Sequence, residues 1–409
     1  MTKLWTRNFT ILTLGSFISA LGSIGAGVAF GILIYQRTGS PLTLALFTVA
    51  NIIPRMITGF IAGPFVDRHS RRKIIYSLDF LSTVFFTAMA LVLFTGFFNV
   101  IVFTIVAMLF GIMDTIYQIA FMSMFPEVIE KGQHSKAYSL SSLIWPISAA
   151  IMAPIAAFMI ENFEFGVAIL MIFNAATFLV AAIMETTIKL DEVLNQKKMK
   201  GLQFIEDLKE GFRYYKVEKG ILGIGILFAA FSFVYTSHDL LRMPYFINSD
   251  QFTLQDFSFL ITASSIGRIV GGIIHYTFKY PPHKRYMIAI IVYFTVEALS
   301  ATMLYMPYFL MISASFLVGL LSVTSFNIRM TATQVYIPNH MRGRVNSSQG
   351  LLWNIGAIFG ALIIGYVAEY STYDYRLIML LTASVSITAI ILIPLRMKNE
   401  FKKIYNADI

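Results

Sequence analysis

Residues 63–73 read Gly63-Pro64-Phe65-Val66-Asp67-Arg68-His69-Ser70-Arg71-Arg72-Lys73, a Gly-Pro start, one acid and then a cluster of cations. The stretch separates two apolar runs, 42–66 and 74–97. Each run is long enough to cross a bilayer core as a helix, which takes about 20 apolar residues. The segment therefore reads as a tight turn between two membrane helices. Gly63 permits close helix approach, Asp67 can pair with arginines or a helix N-terminus, and the cations hold the turn on an anionic leaflet. The alternative for the same residues is an ordinary basic loop.

Working outward from this turn, ten further apolar runs appear. The full set lies at 9–35, 42–66, 74–97, 100–125, 136–160, 166–188, 220–246, 254–278, 285–306, 309–336, 344–368 and 374–396. The first is longer than a cleavable signal core and lacks a clear small-residue cleavage site. Composition agrees: 57% of the 409 residues are hydrophobic and 13% charged, and mean hydropathy is +0.72. Soluble domains run about 45–50% apolar and about 25% charged, so a soluble, disordered or coiled-coil chain is excluded. With no cysteine, disulfides, thiolate metal sites and Cys nucleophiles drop out as well.

The net charge of +9 is mostly a topology signal. Of the 31 Lys and Arg residues, 25 fall on the side of the runs that carries both termini. Three, Arg37, Arg242 and Arg376, fall on the other side, and Arg55, Arg268 and Arg329 lie within runs. Basic residues are retained in the cytoplasm, so both termini are expected there, in a bacterial-type inner membrane. Anionic lipid is then the natural partner, and no aromatic-interleaved basic groove suggests nucleic acid.

The longest polar segment, 189–219, splits the runs six and six, and Leu202, Ile205, Leu208 and Phe212 recur in it at helical spacing. It reads as a linker with an interfacial amphipathic helix. The expected organisation is an N-terminal six-helix bundle (1–188), this linker, a C-terminal bundle (220–396) and a cytoplasmic tail (397–409). The halves look related. Arg55 and Gly59 match Arg268 and Gly272, Pro126 matches Pro338, Trp145 matches Trp353 and Glu161 matches Glu369, at offsets that differ by a few residues. Duplicated six-helix halves are how many secondary transporters are built. The fold class is thus an all-α membrane protein with twelve transmembrane helices in two pseudo-symmetric bundles.

The 63–73 turn resembles the G-x-x-x-D-R-x-x-R-[RK]-[RK] motif of the major facilitator superfamily, matching it at Gly63, Asp67, Arg68, Arg71, Arg72 and Lys73. The resemblance implies that these are gating residues, not substrate ligands. The wording Val66-Asp67-Arg68-His69-Ser70-Arg71-Arg72-Lys73, with Arg342-Gly343-Arg344-Val345, is similar to the branch containing macrolide-efflux proteins and the enterobactin exporter. In the fifth run Ala149-x-x-x-Ala153-Pro154-x-x-Ala157 resembles the superfamily's antiporter motif, with Ala in place of each Gly. That departure leaves a plain packing face as an equal reading.

Ionisable residues within a bilayer cost at least about 2.5–3.5 kcal/mol on insertion scales, which makes each a functional candidate. They are Arg55, Asp114, His238, Asp239, Arg268, Glu297 and Arg329. The resemblance places all but Glu297 on cavity-lining helices, so Glu297 is expected to be a packing partner, and Asp79 to support the basic turn. Asp114, Tyr117, Gln118 and Phe121 share one helical face, as do Tyr235, His238, Asp239 and Arg242. Asp114 and Arg329, on equivalent helices of the two halves, are expected to pair, with Asp114 or Asp239 as the proton-coupling group. Arg55 and Arg268 can offer bidentate contacts to carboxylates or phosphates.

No HExxH, GxSxG or GxxxxGK[ST] occurs, so neither an enzyme nor a nucleotide-driven pump is expected, and no cofactor is called for. The resulting expectation is a monomeric secondary transporter working by alternating access. It exports an amphipathic or anionic small molecule, such as a macrolide-like drug or a siderophore, against protons. A lipid flippase on the same fold and a non-transporting membrane receptor are the alternatives.

Overall fold

The structure, a computed structural model, describes residues 3–190, 203–278 and 280–407. In chain order its helices are α1 (Arg7–Thr38), α2 (Pro41–Arg68), α3 (Arg71–Phe94), α4 (Val100–Met124), α5 (His134–Asn162), α6 (Gly166–Glu185), α7 (Gln203–Val217), α8 (Lys219–Ile247), α9 (Leu254–Thr277), α10 (Arg285–Thr302), α11 (Tyr308–Tyr336), α12 (Asn339–Tyr370), α13 (Tyr375–Ile390) and α14 (Lys398–Tyr405). Among the described residues, twelve are long and apolar enough to cross a membrane, all except α7 and α14. The protein is an all-α, multi-pass membrane protein, as its apolar runs predict.

Polar residues set the helix ends. Thr6, Ser70 and Asn99 accept backbone N–H bonds at the starts of α1, α3 and α4, and Thr253 and Asp256 form a reciprocal capping box on α9. Gly39 closes α1 in the left-handed region (φ 62°), its N–H donating to the Tyr35 carbonyl. Prolines lie inside α2 (Pro54, Pro64), α5 (Pro146, Pro154) and α8 (Pro244), each removing one backbone donor.

The chain divides into two compact units, Met1–Gly39 with Phe47–Met199, and Ser40–Leu46 with Lys200–Ile409. In the first, α6 packs on α1 and α3, α5 on α1, and α4 on α3. The same pairings recur in the second unit: α13 on α8 and α10, α12 on α8, and α11 on α10. These four pairings repeat, whereas the densest packing of the second unit, α9 on α11, has no comparable α2–α4 packing in the first.

Two segments differ from the sequence reading. Leu202 lies outside the described residues, as does the side chain of Ile205, and Phe212 is exposed. The face of α7 that docks is instead Gly211 with Tyr215, whose hydroxyl shares a 2.6 Å hydrogen bond with Ser348 Oγ of α12. Arg344 and Glu210 add an ion pair at 2.5 Å. The segment expected as a tail from 397 is no loose end either. Phe401, Ile404 and Tyr405 of α14 are fully buried in the core of the second unit, because its charges, Lys398, Glu400, Lys402 and Lys403, leave one apolar stripe facing inward.

Candidate functional site

The 63–73 turn is built by short-range chemistry. Ser70 caps α3, His69 stacks on Phe65 and bonds its carbonyl, and Arg71 forms an ion pair with Glu127, just beyond α4. Arg72 Nη1 donates to the Ile188 carbonyl, just beyond α6, at 2.5 Å. The cations therefore stitch the turn to the ends of two other helices of the same unit. Asp67 stays exposed at the end of α2.

Deeper in that unit, α2 and α4 cross closely at Gly111. A Cβ there would lie 3.1 Å from Arg55 Cγ and 3.2 Å from the Asn51 carbonyl, and Asn51 Nδ2 donates to Ala107 O at 3.2 Å. This crossing brings Arg55 into an ion pair with Asp114, whose side chain is 15% exposed against 46% for Arg55. Gln118 Nε2 approaches Asp114 Oδ1 at 3.5 Å. The expected Asp114–Arg329 pairing is corrected on this point: Asp114 has its cation within its own unit, and Arg329 lies 4.0 Å above the Phe228 ring. A guanidinium stacked on an aromatic face keeps a favourable electrostatic contact without a carboxylate.

Tyr117 parts from Asp114 and Gln118, since its hydroxyl points to Glu185 Oε1 of α6 at 3.4 Å. Beside it, Asp79 of α3 is within side-chain hydrogen-bonding reach of Glu185, and both carboxyls are buried. Asp79 therefore does not support the basic turn. A residue eight positions into α3 sits about 12 Å along the helix from its start, well inside the bundle. An open-sided cleft, whose void of about 640 Å³ includes space open to its surroundings, joins Asp79 to Asp114 and is lined by Ser16, Ser19, Asp79, Asp114, Tyr117 and Gln118, with Ser141 and Trp145 of α5. Ala153 and Ala157 are buried on α5, which packs against α1 and α6, the behaviour of a packing face.

The second unit holds a larger cavity of about 1130 Å³. Its wall is mainly aromatic, with Phe228, Phe231, Tyr293, Phe326 and Trp353, and carries Tyr235, Arg268, Arg329 and Glu297. Glu297 is buried and accepts a 2.6 Å bond from Ser386 of α13, as a packing partner does, and the residue also borders the cavity. The face expected for Tyr235, His238, Asp239 and Arg242 also divides. His238 is buried and its Nε2 contacts the Met379 carbonyl at 2.9 Å, a structural role, whereas Tyr235 and Asp239 are exposed. Arg242 and Arg268 are the cations acting on Asp239.

Sequence reading missed Glu185 altogether, since it ends its apolar run and looks like a loop residue. A usable signal was present on α1, where Ser16, Ser19 and Ser23 share one helical face that lines the cavity in front of the carboxyls.

Twelve helices long enough to span a membrane, helix pairings shared by the two units and charged groups held inside each unit point to a membrane transporter. The chain belongs to the Major Facilitator Superfamily, whose family model matches residues 12–361 and 243–406. Over 98% of its length and 98% of theirs it is 21% identical to macrolide efflux protein A of Streptococcus pyogenes. To the Enterococcus faecalis macrolide efflux protein A it is 22% identical, over 58% of this chain and 72% of that one. In fold it is similar to the crystal structure of the nucleoside transporter NupG, with TM-score 0.71 at 13% identity, covering 95% of this chain and 99% of that one. A bacterial homologue of the iron transporter ferroportin in an inward-facing state gives 0.68 at 14%, covering 98% and 99%.

Proposed function

We propose that this transporter exports an amphipathic or anionic small molecule in exchange for protons. It works as a monomer by alternating access in a bacterial-type inner membrane, with both termini cytoplasmic. The observation that carries the substrate class is the aromatic cavity of the second unit. Its rings suit a broad apolar body, and Arg268, exposed beside them, suits a single anionic group. Export is supported by the likeness to macrolide efflux protein A along the whole chain. Asp67 acts as the gating residue of the 63–73 turn. The carboxylates Asp114 and Asp239 exchange partners as substrate or proton arrives: a proton on Asp114 frees Arg55, which biases one state over the other.

The test uses everted vesicles with and without the protein, energised to an acidic interior, with a pH-quenched dye. Carboxylate chelators, macrolides and lipophilic cations are added in turn. Protein-dependent proton release on the chelators is the expected result. Release on lipophilic cations alone would overturn the anionic reading and move recognition to Glu297. No release from any pool, with folded protein present, would overturn antiport and send the search to lipid translocation.

A further inference from the structure

Asp79 and Glu185 stand apart from the groups used above. They come from α3 and α6, two helices packed on each other, and are 1% and 0% exposed. Asp79 Oδ2 and Glu185 Oε2 have no donor among the described residues, and neither carboxyl forms an ion pair there. Facing groups on every packed element are neutral or acidic. α1 offers Gly15 and Ser16, α4 offers the Tyr117 hydroxyl, and α5 offers Ser141 and Trp145 across the cavity. In the same unit Arg55 is engaged with Asp114 and Arg72 with the Ile188 carbonyl. A second observation points to an absent ligand: Ser19 Oγ, 7% exposed and on the cavity wall with Asp79, also lacks a hydrogen-bond partner.

Two adjacent carboxylates without a cation, buried among packed helices, repel each other and lose most of their hydration. A single shared proton removes one charge and makes a strong carboxyl–carboxylate hydrogen bond. We infer that Asp79 and Glu185 form a proton-binding site, and that the serine-lined cavity is its route to Asp114. On release, the acid O–H bond breaks and the proton passes through cavity water to the Asp114 carboxylate, displacing Arg55. The pair is left with two negative charges, a state the packed helices tolerate only if water enters. Loss of the proton therefore loosens α6 from α3 and α1, which ties protonation to conformation. The binding site rests on the burial of the two acids, the packing of α3 on α6 and their unpartnered oxygens, and its coupling to transport rests on the antiport reading.

The test has two arms, and the first needs no substrate. Infrared spectra of the purified full-length protein at neutral pH should contain a protonated-carboxyl band. That band should be lost in Asp79→Asn/Glu185→Gln and kept in Asp114→Asn. Tyr117→Phe retains both acids and should shift the band by removing one hydrogen bond, which guards against a double variant that fails to fold. A band unchanged in the double variant, or one that disappears on adding sodium chloride, would overturn the shared proton, the latter making the site a cation site. In the second arm, vesicles with a responding substrate pool should show proton release reduced by about tenfold or more in the double variant. Release at the wild-type level, with the infrared result as expected, would overturn the coupling role. If the wild type itself releases no protons, antiport falls while the infrared result still decides the site.

Discussion

Replacing Gly267 by alanine should damage the second unit, while the same change at Gly272, five residues further along α9, should not. A Cβ on Gly267 would lie 2.0 Å from the Phe316 carbonyl oxygen, and one on Gly319 of α11 would lie 2.0 Å from the Ser264 carbonyl. Ordinary contact needs about 3.4 Å, so α9 and α11 must separate by about 1.4 Å at this point. Gly272 has nothing within 4 Å of its added Cβ. Overpacking of this kind costs about 1–3 kcal/mol, against a helix-propensity gain of at most about 1 kcal/mol from Gly to Ala. A 2.0 Å approach to backbone puts the cost at the upper end, so the net loss for Gly267→Ala is about 2 kcal/mol, and at about 2–4 °C per kcal/mol for a unit of this size the melting temperature should fall by roughly 4–8 °C. Function should suffer more than stability. Arg268 follows the seam directly, and Ser322, Phe326 and Arg329 of α11 line the same cavity, so a 1 Å shift moves the substrate-facing groups. The assay is thermal unfolding of both variants in one detergent, followed by transport in vesicles. Equal melting temperatures for Gly267→Ala and wild type would refute the close approach, and with it the geometry argued for the cavity wall.

Five further outcomes are expected. Asp67→Asn should abolish transport while leaving folding and ligand binding intact, checked by flux and by melting; full flux would remove the gating role. Arg71→Ala, which frees the partly exposed Glu127, should lower stability by no more than about 1 kcal/mol, read from the melting temperature. Truncation after Met397 should prevent stable accumulation of the protein, since it strips Phe401, Ile404 and Tyr405 from the core and each such loss costs about 2–5 kcal/mol. Tyr405→Phe, by contrast, loses only the 2.8 Å bond to Tyr293 and should cost about 1 kcal/mol. Finally, Arg376 hydrogen-bonds the Asp374 carboxyl and holds it below its usual range. A depressed carboxyl stabilises the fold above its unfolded value of about 3.9 and loses that contribution as pH falls through the lower folded one. The small melting difference between wild type and Asp374→Asn should therefore be constant near neutrality and close below about pH 4.

The turn at 63–73 was legible without coordinates because it is local: cap, cations and flanking apolar runs all lie within one short segment. Ser70 caps α3 as its position implies, and all twelve runs become helices, since a bilayer forces an apolar run of this length to satisfy its own backbone. The duplication also followed from spacing, and the repeated helix pairings agree with it. Which charge meets which was a different matter. Arg55 lies 59 positions before Asp114, and their pairing depends on the close crossing allowed by Gly111, which no periodicity reports. Asp79 and Glu185 are 106 positions apart, and each alone looks like a helix-end acid. Glu297 meets Ser386 89 positions away, a partner that no spacing in the sequence reports. Hydrophobic pattern fixes what spans the membrane because that cost is paid residue by residue. The partners of buried charges are decided by helix rotation and close approach, which only the packed structure contains.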